Sequence, residues 1–330
     1  MKNMDIGYRT SLGKCLCGDS NELLSNLDDN SIDLIVTSPP YALQRKKEYG
    51  GLEQDEYVDW LCSFAETAFP KIKDTGSLVF DIGGAYEKGQ PIYSLYQFRV
   101  LMKLCDELGY KLAQPFYWYN PSALPSPIEW VNKRKLRAKS SIETCWWVCK
   151  SSDCKADVTQ VLAPYSDRMK SFISQPEKFI GGDEANRPSG HQMKKGSWTR
   201  DNGGAIPSNM LNIPNSESNS QYLRYCKALE IKGHPARFPI QLPEFFIKFL
   251  TKPNDLVVDI FSGSNTTGLA AERLGRRWLA FDLMKEYVAN SSFRFVESIE
   301  QAKDVYSRIM SDEFVEITNQ YQQGQLDFQG

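Results

Sequence analysis

The sequence predicts an α/β fold with a doubly wound, mostly parallel sheet, and three observations support this prediction. The chain has 330 residues, enough for about two domains or for one large domain with an inserted lobe. Both of its ends alternate strand and helix patterns, which implies parallel strands joined by helical crossovers. In the second half, a buried strand runs into a turn of small residues around Gly263, an arrangement that presents backbone N–H groups at the start of a helix.

The strand and helix patterns are clear at both ends of the chain and weak between them. Residues 32–36 are a β-branched run typical of a buried strand, and residues 55–69 carry apolar side chains at helical spacing. The predicted strands are 14–17, 32–36, 77–82, 111–119, 142–149, 256–260 and 277–281, and the predicted helices are 20–27, 55–69, 93–108, 242–250, 266–274 and 284–295. Residues 120–219 are otherwise rich in Pro, Ser, Asn and Gly, which predicts an irregular lobe of long loops.

Composition and charge exclude several classes of protein. Hydrophobic residues make up 41% and charged residues 24% of the chain, which is typical of a globular protein and excludes global disorder. The net charge of -2 gives no overall attraction to nucleic acid, so any such affinity must come from local cations. No run approaches the ~18 apolar residues of a membrane span, and no signal-peptide pattern opens the sequence. We therefore expect a cytoplasmic protein without a membrane partner.

The eight cysteines are scattered, which favours free thiols in a reducing cytoplasm. Cys145, Cys149 and Cys154 form the one tight group. A zinc site there would need a fourth ligand, and the chain has two histidines, His191 and His234, both far away in sequence. Buried thiols are the favoured interpretation, and no metal is expected.

The first motif with chemical meaning is the turn that follows residues 256–260. Gly263 lets a ligand approach the backbone closely. Asp282 follows nineteen residues later, at the end of the next predicted strand, where an acidic side chain accepts hydrogen bonds from the ribose hydroxyls of an adenosine cofactor. The turn lacks the three spaced glycines of a dinucleotide fingerprint, which disfavours NAD.

The second motif is Thr37-Ser-Pro-Pro-Tyr41, directly after a buried strand. Consecutive prolines fix the backbone and remove two donors, so carbonyl oxygens at this turn are rigid acceptors suited to an amine substrate. The Ser38 hydroxyl and these carbonyls would accept the hydrogens of an exocyclic base amine, and Tyr41 would stack on the extruded base. Taken alone, the pentapeptide also fits a plain proline turn with a packed tyrosine.

Together these motifs resemble those of amino-group DNA methyltransferases that use S-adenosylmethionine. Their order, with the proline motif first, resembles the circularly permuted beta group, and segments 44–49, 124–135 and 234–239 are similar to a member of that group. The resemblance implies a Rossmann-like methyltransferase sheet. It also implies that 1–119 carries the catalytic motif, that 120–219 contains the target-recognition lobe, and that 220–330 binds the cofactor.

The resemblance further implies roles for individual cofactor-binding residues. Asp19 is expected to read the adenine amine, Phe261 to lie beside the sulfonium, and the segment containing His234 and Phe238 to close over the methionine end. The residues expected at the cofactor are Asp19, His234, Phe238, Asp259, Phe261, Gly263, Ser264, Asn265, Thr266 and Asp282.

The resemblance implies transfer of a methyl group to the N4 amine of cytosine, because family members with Ser before the two prolines usually have that target. No cysteine follows a proline, so the nucleophile of carbon-methylating enzymes is missing and direct transfer is expected. Asp81, at a strand end, would support Ser38 or receive the released proton. The expected catalytic residues are Ser38, Pro39, Pro40, Tyr41 and Asp81. An adenine-N6 methyltransferase and a non-catalytic DNA-binding protein are the alternatives.

Double-stranded DNA is the expected partner, and clustered cations are the candidates for contacts with its phosphates. They are Arg45, Lys46, Lys47, Lys133, Arg134, Lys135 and Arg137. If the resemblance extends through the irregular lobe, it implies the palindrome CAGCTG as the recognition site, modified at the inner cytosine. A restriction endonuclease for the same site is the expected genomic companion.

Overall fold

The computed structural model describes residues 6–40, 54–175, 200–216 and 219–318. These residues form two compact units. The larger unit runs up to Ala156 and resumes at Asn209, and the smaller unit is Asp157–Ser208.

A mixed sheet forms the larger unit, with ten strands among the described residues in the order β10-β1-β2-β9-β8-β3-β4-β6-β5-β7. The strands from β2 to β4 are parallel to one another, whereas β6 is antiparallel to both β4 and β5. The strand bounds are β1 Gly7–Arg9, β2 Gly13–Cys17, β3 Ile32–Thr37, β4 Ile72–Gly83, β5 Lys111–Tyr119, β6 Ile142–Cys149, β7 Met210–Asn212, β8 Leu256–Asp259, β9 Arg277–Asp282 and β10 Phe314–Glu316.

Helices cover both faces of this sheet, which explains why all six residues of β3 are buried. On one face, α2 and α3 build a core with the apolar side chains of β3 and β4. On the other face, the α6 residues Phe246 and Phe249 pack on Phe116 of β5. The helices are α1 Ser20–Ser25, α2 Gln54–Ala68, α3 Tyr96–Asp106, α4 Asp167–Ser174, α5 Gln221–Ala228, α6 Gln241–Leu250, α7 Thr266–Arg273, α8 Lys285–Ser291 and α9 Ile299–Met310.

The predicted doubly wound α/β fold is confirmed, with differences in single elements. The strand predicted at 77–82 begins five residues earlier, at Ile72, and the helix predicted over 284–295 is α8 followed by a 3₁₀ turn, Ser292–Arg294. The strands β1, β7 and β10 and the helices α4, α5 and α9 were not predicted. The three strands have three residues each, too few to show the two-residue periodicity of a strand.

The smaller unit contains the helix α4, which begins after the N-cap Ser166. Ala163 and Ala205 pair in an isolated antiparallel bridge, and the Tyr165 hydroxyl donates to Asp201 over 3.1 Å. In both units, none of the described helices has the length and apolar character needed to cross a membrane.

Candidate active site

The central pair of strands, β8 and β3, brings the two sequence motifs together. These parallel strands pair with Leu34 opposite Val257 and Ile35 opposite Val258, so both end at the same edge of the sheet. The Thr37 hydroxyl donates to the Asp259 carboxylate over 2.6 Å and ties the two strand ends to each other. The turn after β3, with Ser38 and the two prolines, and the turn after β8, with Gly263, therefore lie side by side as the sequence predicts.

Buried polar contacts hold the turn after β8 in an unusual backbone conformation. Asn265, with φ 53°, is fully buried. Its amide nitrogen donates to the Tyr8 hydroxyl over 2.9 Å, and its amide oxygen accepts from the Gly268 N–H over 3.0 Å. Gly263 has φ +49°, and a Cβ there would lie 3.0 Å from the His234 ring. Both the conformation and the close approach therefore favour glycine at this position.

A buried arginine from the 3₁₀ turn after α8 also holds this turn. Arg294, 6% exposed, donates to the Ser264 carbonyl oxygen over 2.6 Å and to the hydroxyls of Ser264 and Thr266, each over 3.0 Å. A guanidinium has no acceptor, so both hydroxyls must accept from it. Their own hydrogens are left for the contact between the two oxygens, 3.3 Å apart, and for a ligand in the cavity that both residues line.

Asp282, at the end of β9, faces the same turn. Its carboxylate accepts from the Gly263 N–H over 2.8 Å and from the Met284 N–H over 2.9 Å. Burial raises the pKa of Asp282 to about 6, against the lowering effect of these two N–H groups. Each carboxylate oxygen keeps a second lone pair, so Asp282 is able to accept further hydrogen bonds from a ligand's hydroxyl groups.

A cavity of about 580 Å³ lies at this edge of the sheet, within the usual size range of small-molecule sites. Twelve of the residues expected from the sequence line it: Asp19, Ser38, Pro39, Pro40, Asp81, His234, Phe238, Phe261, Gly263, Ser264, Thr266 and Asp282. Asp259 and Asn265 support the turns from behind and are not among the lining residues. Four further residues expected to contact the base or DNA lie outside the described part of the chain: Tyr41, Arg45, Lys46 and Lys47.

Aromatic side chains line the cavity beside the glycine turn. Phe261 packs against Trp60, with ring centroids 5.5 Å apart, and against Phe64, at 4.9 Å. All three line the cavity. The sequence analysis missed Trp60 and Phe64 because both read as ordinary apolar positions of α2.

Two carboxylates line the cavity on β4 and β6, the strands that follow β3 in the sheet. Asp81 on β4 is 3% exposed and accepts from the Cys145 thiol over 3.4 Å. Burial, followed by the charge of Asp81, holds the pKa of Cys145 well above its usual range. Glu143 lies two residues from Cys145 on β6, pairs with Trp118 of β5, and lines the cavity together with Trp118. The sequence analysis missed Glu143 and Trp118, because their position depends on the pairing of β5 with β6.

The predicted cations Lys133, Arg134, Lys135 and Arg137 are exposed and lie on the loop that joins β5 to β6. Arg134 stacks over the Trp130 ring, 5.2 Å from its centroid, and Lys133 pairs with Glu129 over 3.3 Å. None of the four lines the cavity. They are therefore not placed to contact a small ligand within it.

One cavity is lined both by the turn with Ser38 and the two prolines and by the turn around Gly263, at the edge of a doubly wound sheet. This arrangement is the one expected of the DNA methyltransferases that the sequence resembles. A family model described as DNA methylase matches residues 32–293, and the chain belongs to this family.

Individual relatives agree with this assignment. The chain is 58% identical over 315 residues to the type II methyltransferase M.PvuII of Proteus hauseri, covering 94% of this chain and 93% of that protein. The solved structure of the PvuII DNA methyltransferase (cytosine-N4-specific) matches with a TM-score of 0.78 and 50% identity, over 94% and 97% of the two chains. The crystal structure of the M1.HpyAVI-SAM complex matches with a TM-score of 0.51 and 20% identity, over 86% and 98%, which indicates a shared fold.

Proposed function

We propose that this protein is a site-specific DNA methyltransferase that transfers a methyl group from S-adenosylmethionine to the N4 amine of cytosine. The observation that carries the proposal is that both turns line the same cavity: Ser38, Pro39 and Pro40 from one turn, and Gly263, Ser264 and Thr266 from the other. The name of the 50% identical structure, cytosine-N4-specific, supports the choice of target atom.

The residues of the cavity fit S-adenosylmethionine. Asp282 offers a carboxylate to the ribose hydroxyls, and Asp19, which caps α1 through its Oδ1 atom, lines the cavity as the candidate partner of the adenine amine. Ser264 and Thr266 offer hydroxyl donors to the methionine carboxylate, and the ring of Phe261 offers a face to the sulfonium. When bound, this cofactor supplies an electrophilic methyl group.

The acceptor residues prepare the amine of an everted cytosine. Ser38 and the carbonyl oxygens of the proline turn accept the two amine hydrogens, which draws the nitrogen towards tetrahedral geometry and makes its lone pair available. The buried Asp81 would support Ser38 or accept the proton that leaves after transfer. Alignment of the nucleophile with the methyl group supplies most of the acceleration, and Tyr41 would stack on the base.

The finer features of the function are part of the same proposal. The lobe within 120–219 would select the site, for which CAGCTG with its inner cytosine modified is the first candidate. A cognate restriction endonuclease would accompany the enzyme, as the type II designation of the 58% identical relative suggests. The enzyme would act in the cytoplasm, where bacterial DNA is located.

Radiolabelled S-adenosylmethionine and duplex DNA test the proposal. Hydrolysis of the product to nucleosides should give labelled N4-methylcytosine, and modified-base sequencing of DNA from expressing cells should place it at one site. Labelled N6-methyladenine would contradict the cytosine assignment. A protein that binds DNA and cofactor without any transfer would contradict the enzymatic one.

A further inference from the structure

The loop between β5 and β6 (residues 120–141) joins two strands whose ends line the cavity. It begins two residues after Trp118 and ends two residues before Glu143, and these two residues pair across the strands and line the cavity. Both ends of this loop therefore lie beside the cavity.

The charge of the β5–β6 loop is complementary to DNA. It carries Lys133, Arg134, Lys135, Arg137 and Lys139 against one carboxylate, Glu129, whereas the whole chain has a net charge of -2. A local excess of cations on an otherwise slightly acidic protein favours a polyanion at this loop.

The same loop exposes apolar side chains. Leu124 is 81% exposed, the largest value for any large apolar residue in the described part of the chain, and Ile128 is 61% exposed. A solvated leucine in a strongly cationic loop gains nothing in the free protein, because its apolar surface remains in water. Base pairs offer an apolar stack flanked by phosphates, which matches both properties of the loop.

Hydrogen bonds brace the backbone around Leu124. The Lys139 ammonium donates to the carbonyl oxygens of Pro121 and Ala123, over 3.2 and 3.1 Å. The Ser140 N–H donates to the Ser126 carbonyl oxygen over 3.0 Å. Leu124 thus lies on a braced segment. A side chain that enters a base stack needs such support, because unstacking a base step costs a few kcal/mol and a mobile chain would yield first.

We propose that Leu124, with Ile128 on the same loop, is an apolar wedge that enters the base stack of duplex DNA and stabilises the gap left by the everted target base. The cations of the loop hold the flanking phosphates. The inference rests on the proposed function, since it assumes that a base leaves the duplex to reach the cavity.

Methyl transfer to two duplexes tests the wedge. Both carry the site mapped by modified-base sequencing; in one the target is paired, and in the other it faces an abasic position and is already weakly held. Leu124→Ala should lower the single-turnover rate on the paired duplex by about tenfold or more. On the abasic duplex its rate should stay within about twofold of the wild type, because the cost of eversion has largely been removed there.

Two further variants act as controls. Leu124→Phe, which keeps an apolar wedge, should retain the wild-type rate on both duplexes. Leu95→Ala removes a leucine that is 56% exposed just before α3, outside the cationic loop, and should leave both rates unchanged. An equal loss on both duplexes in Leu124→Ala, or no loss on the paired one, would overturn the wedge.

The proposed function and the wedge fail in different ways. If the wild-type protein transfers no methyl group to either duplex, the proposed function is wrong. No site is mapped in that case, so the wedge is decided on duplexes that carry the candidate site CAGCTG, by the fluorescence of 2-aminopurine in place of its inner cytosine. A rise with wild-type protein that disappears in Leu124→Ala supports it, and equal fluorescence with both proteins overturns it.

Discussion

Arg294 donates to the carbonyl oxygen of Ser264, in the turn after β8, over 2.6 Å. The same guanidinium reaches the hydroxyls of Ser264 and Thr266, and it stacks over the Tyr222 ring, 5.0 Å from its centroid. This buried cation fixes the path of the turn and makes both hydroxyls acceptors from it, so their hydrogens are left for each other and for a ligand in the cavity. The groups that a ligand meets there are therefore set by a residue outside the cavity.

Replacing Arg294 should weaken the binding of ligands that carry a carboxylate. A lysine would not hold both hydroxyls, those of Ser264 and Thr266, in the orientation that leaves their hydrogens for the ligand's carboxylate. We expect Arg294→Lys to raise the Kd for S-adenosylmethionine about tenfold or more, because hydrogen bonds to a charged group are worth about 1.5 to 3 kcal/mol each. The Kd for methylthioadenosine, which lacks the carboxylate, should change by less than about twofold. Calorimetric titration of both ligands checks this.

A variant at a surface arginine provides the control for Arg294. Arg308→Lys alters a cation on α9 that pairs with Glu313 at the surface, and neither Kd should change. Equal weakening of both ligands in Arg294→Lys would show that the arginine only maintains the fold of the turn.

Cofactor affinity should depend on pH through Asp282, whose pKa is raised to about 6. The ionised carboxylate is the form that accepts ribose hydroxyls, so affinity should fall about tenfold per pH unit below that pKa and level off above it. In Asp282→Asn, the Kd should be higher than in the wild type at pH 8, and the two values should converge as the pH falls through about 6. An unchanged ratio of the two Kd values across this range would refute the assignment.

The same raised pKa affects the stability of the protein without ligand. The folded state holds the Asp282 proton more tightly than the unfolded chain does, so this group stabilises the fold most at low pH. That contribution decreases as the pH rises through about 4 to about 6. Urea unfolding at several pH values, in the wild type and in Asp282→Asn, measures the difference.

Ser38→Ala should lower turnover without affecting cofactor binding. In the proposed mechanism this hydroxyl accepts a hydrogen bond from the amine of the everted base, so we expect kcat to fall about 100-fold while the Kd for S-adenosylmethionine stays within about twofold. Ser25→Ala, which removes a serine hydroxyl that bonds to the Glu22 carbonyl at the end of α1, is the matched control. A normal kcat in Ser38→Ala would remove this residue from the mechanism.

Stability should depend on an ion-pair cluster at the opposite end of the central strands. Asp33 at the start of β3 is 2% exposed and accepts from Lys73, Lys155 and the Leu256 N–H over 2.8, 3.1 and 3.0 Å. Asp33→Ala should lower the free energy of unfolding by about 2 to 3 kcal/mol, somewhat less than for a fully buried pair because both lysines are partly exposed. Methyl transfer per folded molecule should be unchanged, since Asp33 does not line the cavity.

Asp29→Ala is the control for this cluster. Asp29 pairs with Lys71 at the surface, where its side chain is 64% exposed, and its loss should cost less than about 0.5 kcal/mol. Burial opposes the ionisation of Asp33, but its hydrogen bonds to Lys73, Leu256 and Lys155 outweigh that effect and lower its pKa. Its contribution to stability is thus present at neutral pH and is lost as the pH falls through the acid range.

The fold and the two turns were predictable because their signals are local. A β-branched run followed by Pro39 and Pro40, and a buried strand followed by Gly263, each indicate a strand end within a few residues. The neighbouring positions of these strands follow from general rules for doubly wound sheets.

The supporting residues were not predictable, because their roles depend on long-range contacts. Glu143 and Trp118 reach the cavity only through the register of β6 with β5. Arg294 lies in a 3₁₀ turn within a segment predicted as continuous helix, and it contacts Ser264 thirty positions earlier in the chain. No pattern in the sequence around either group signals such a contact.

The side chains of Thr37 and Asp259 meet although they are 222 positions apart. During synthesis, β3 leaves the ribosome long before β8, its neighbour on one side, exists. A nascent chain that stops short of Leu256 contains the whole Ser-Pro-Pro turn but lacks the strand that carries the opposite wall of the cavity. A fragment that ends before Leu256 therefore cannot form the cavity that the two turns share.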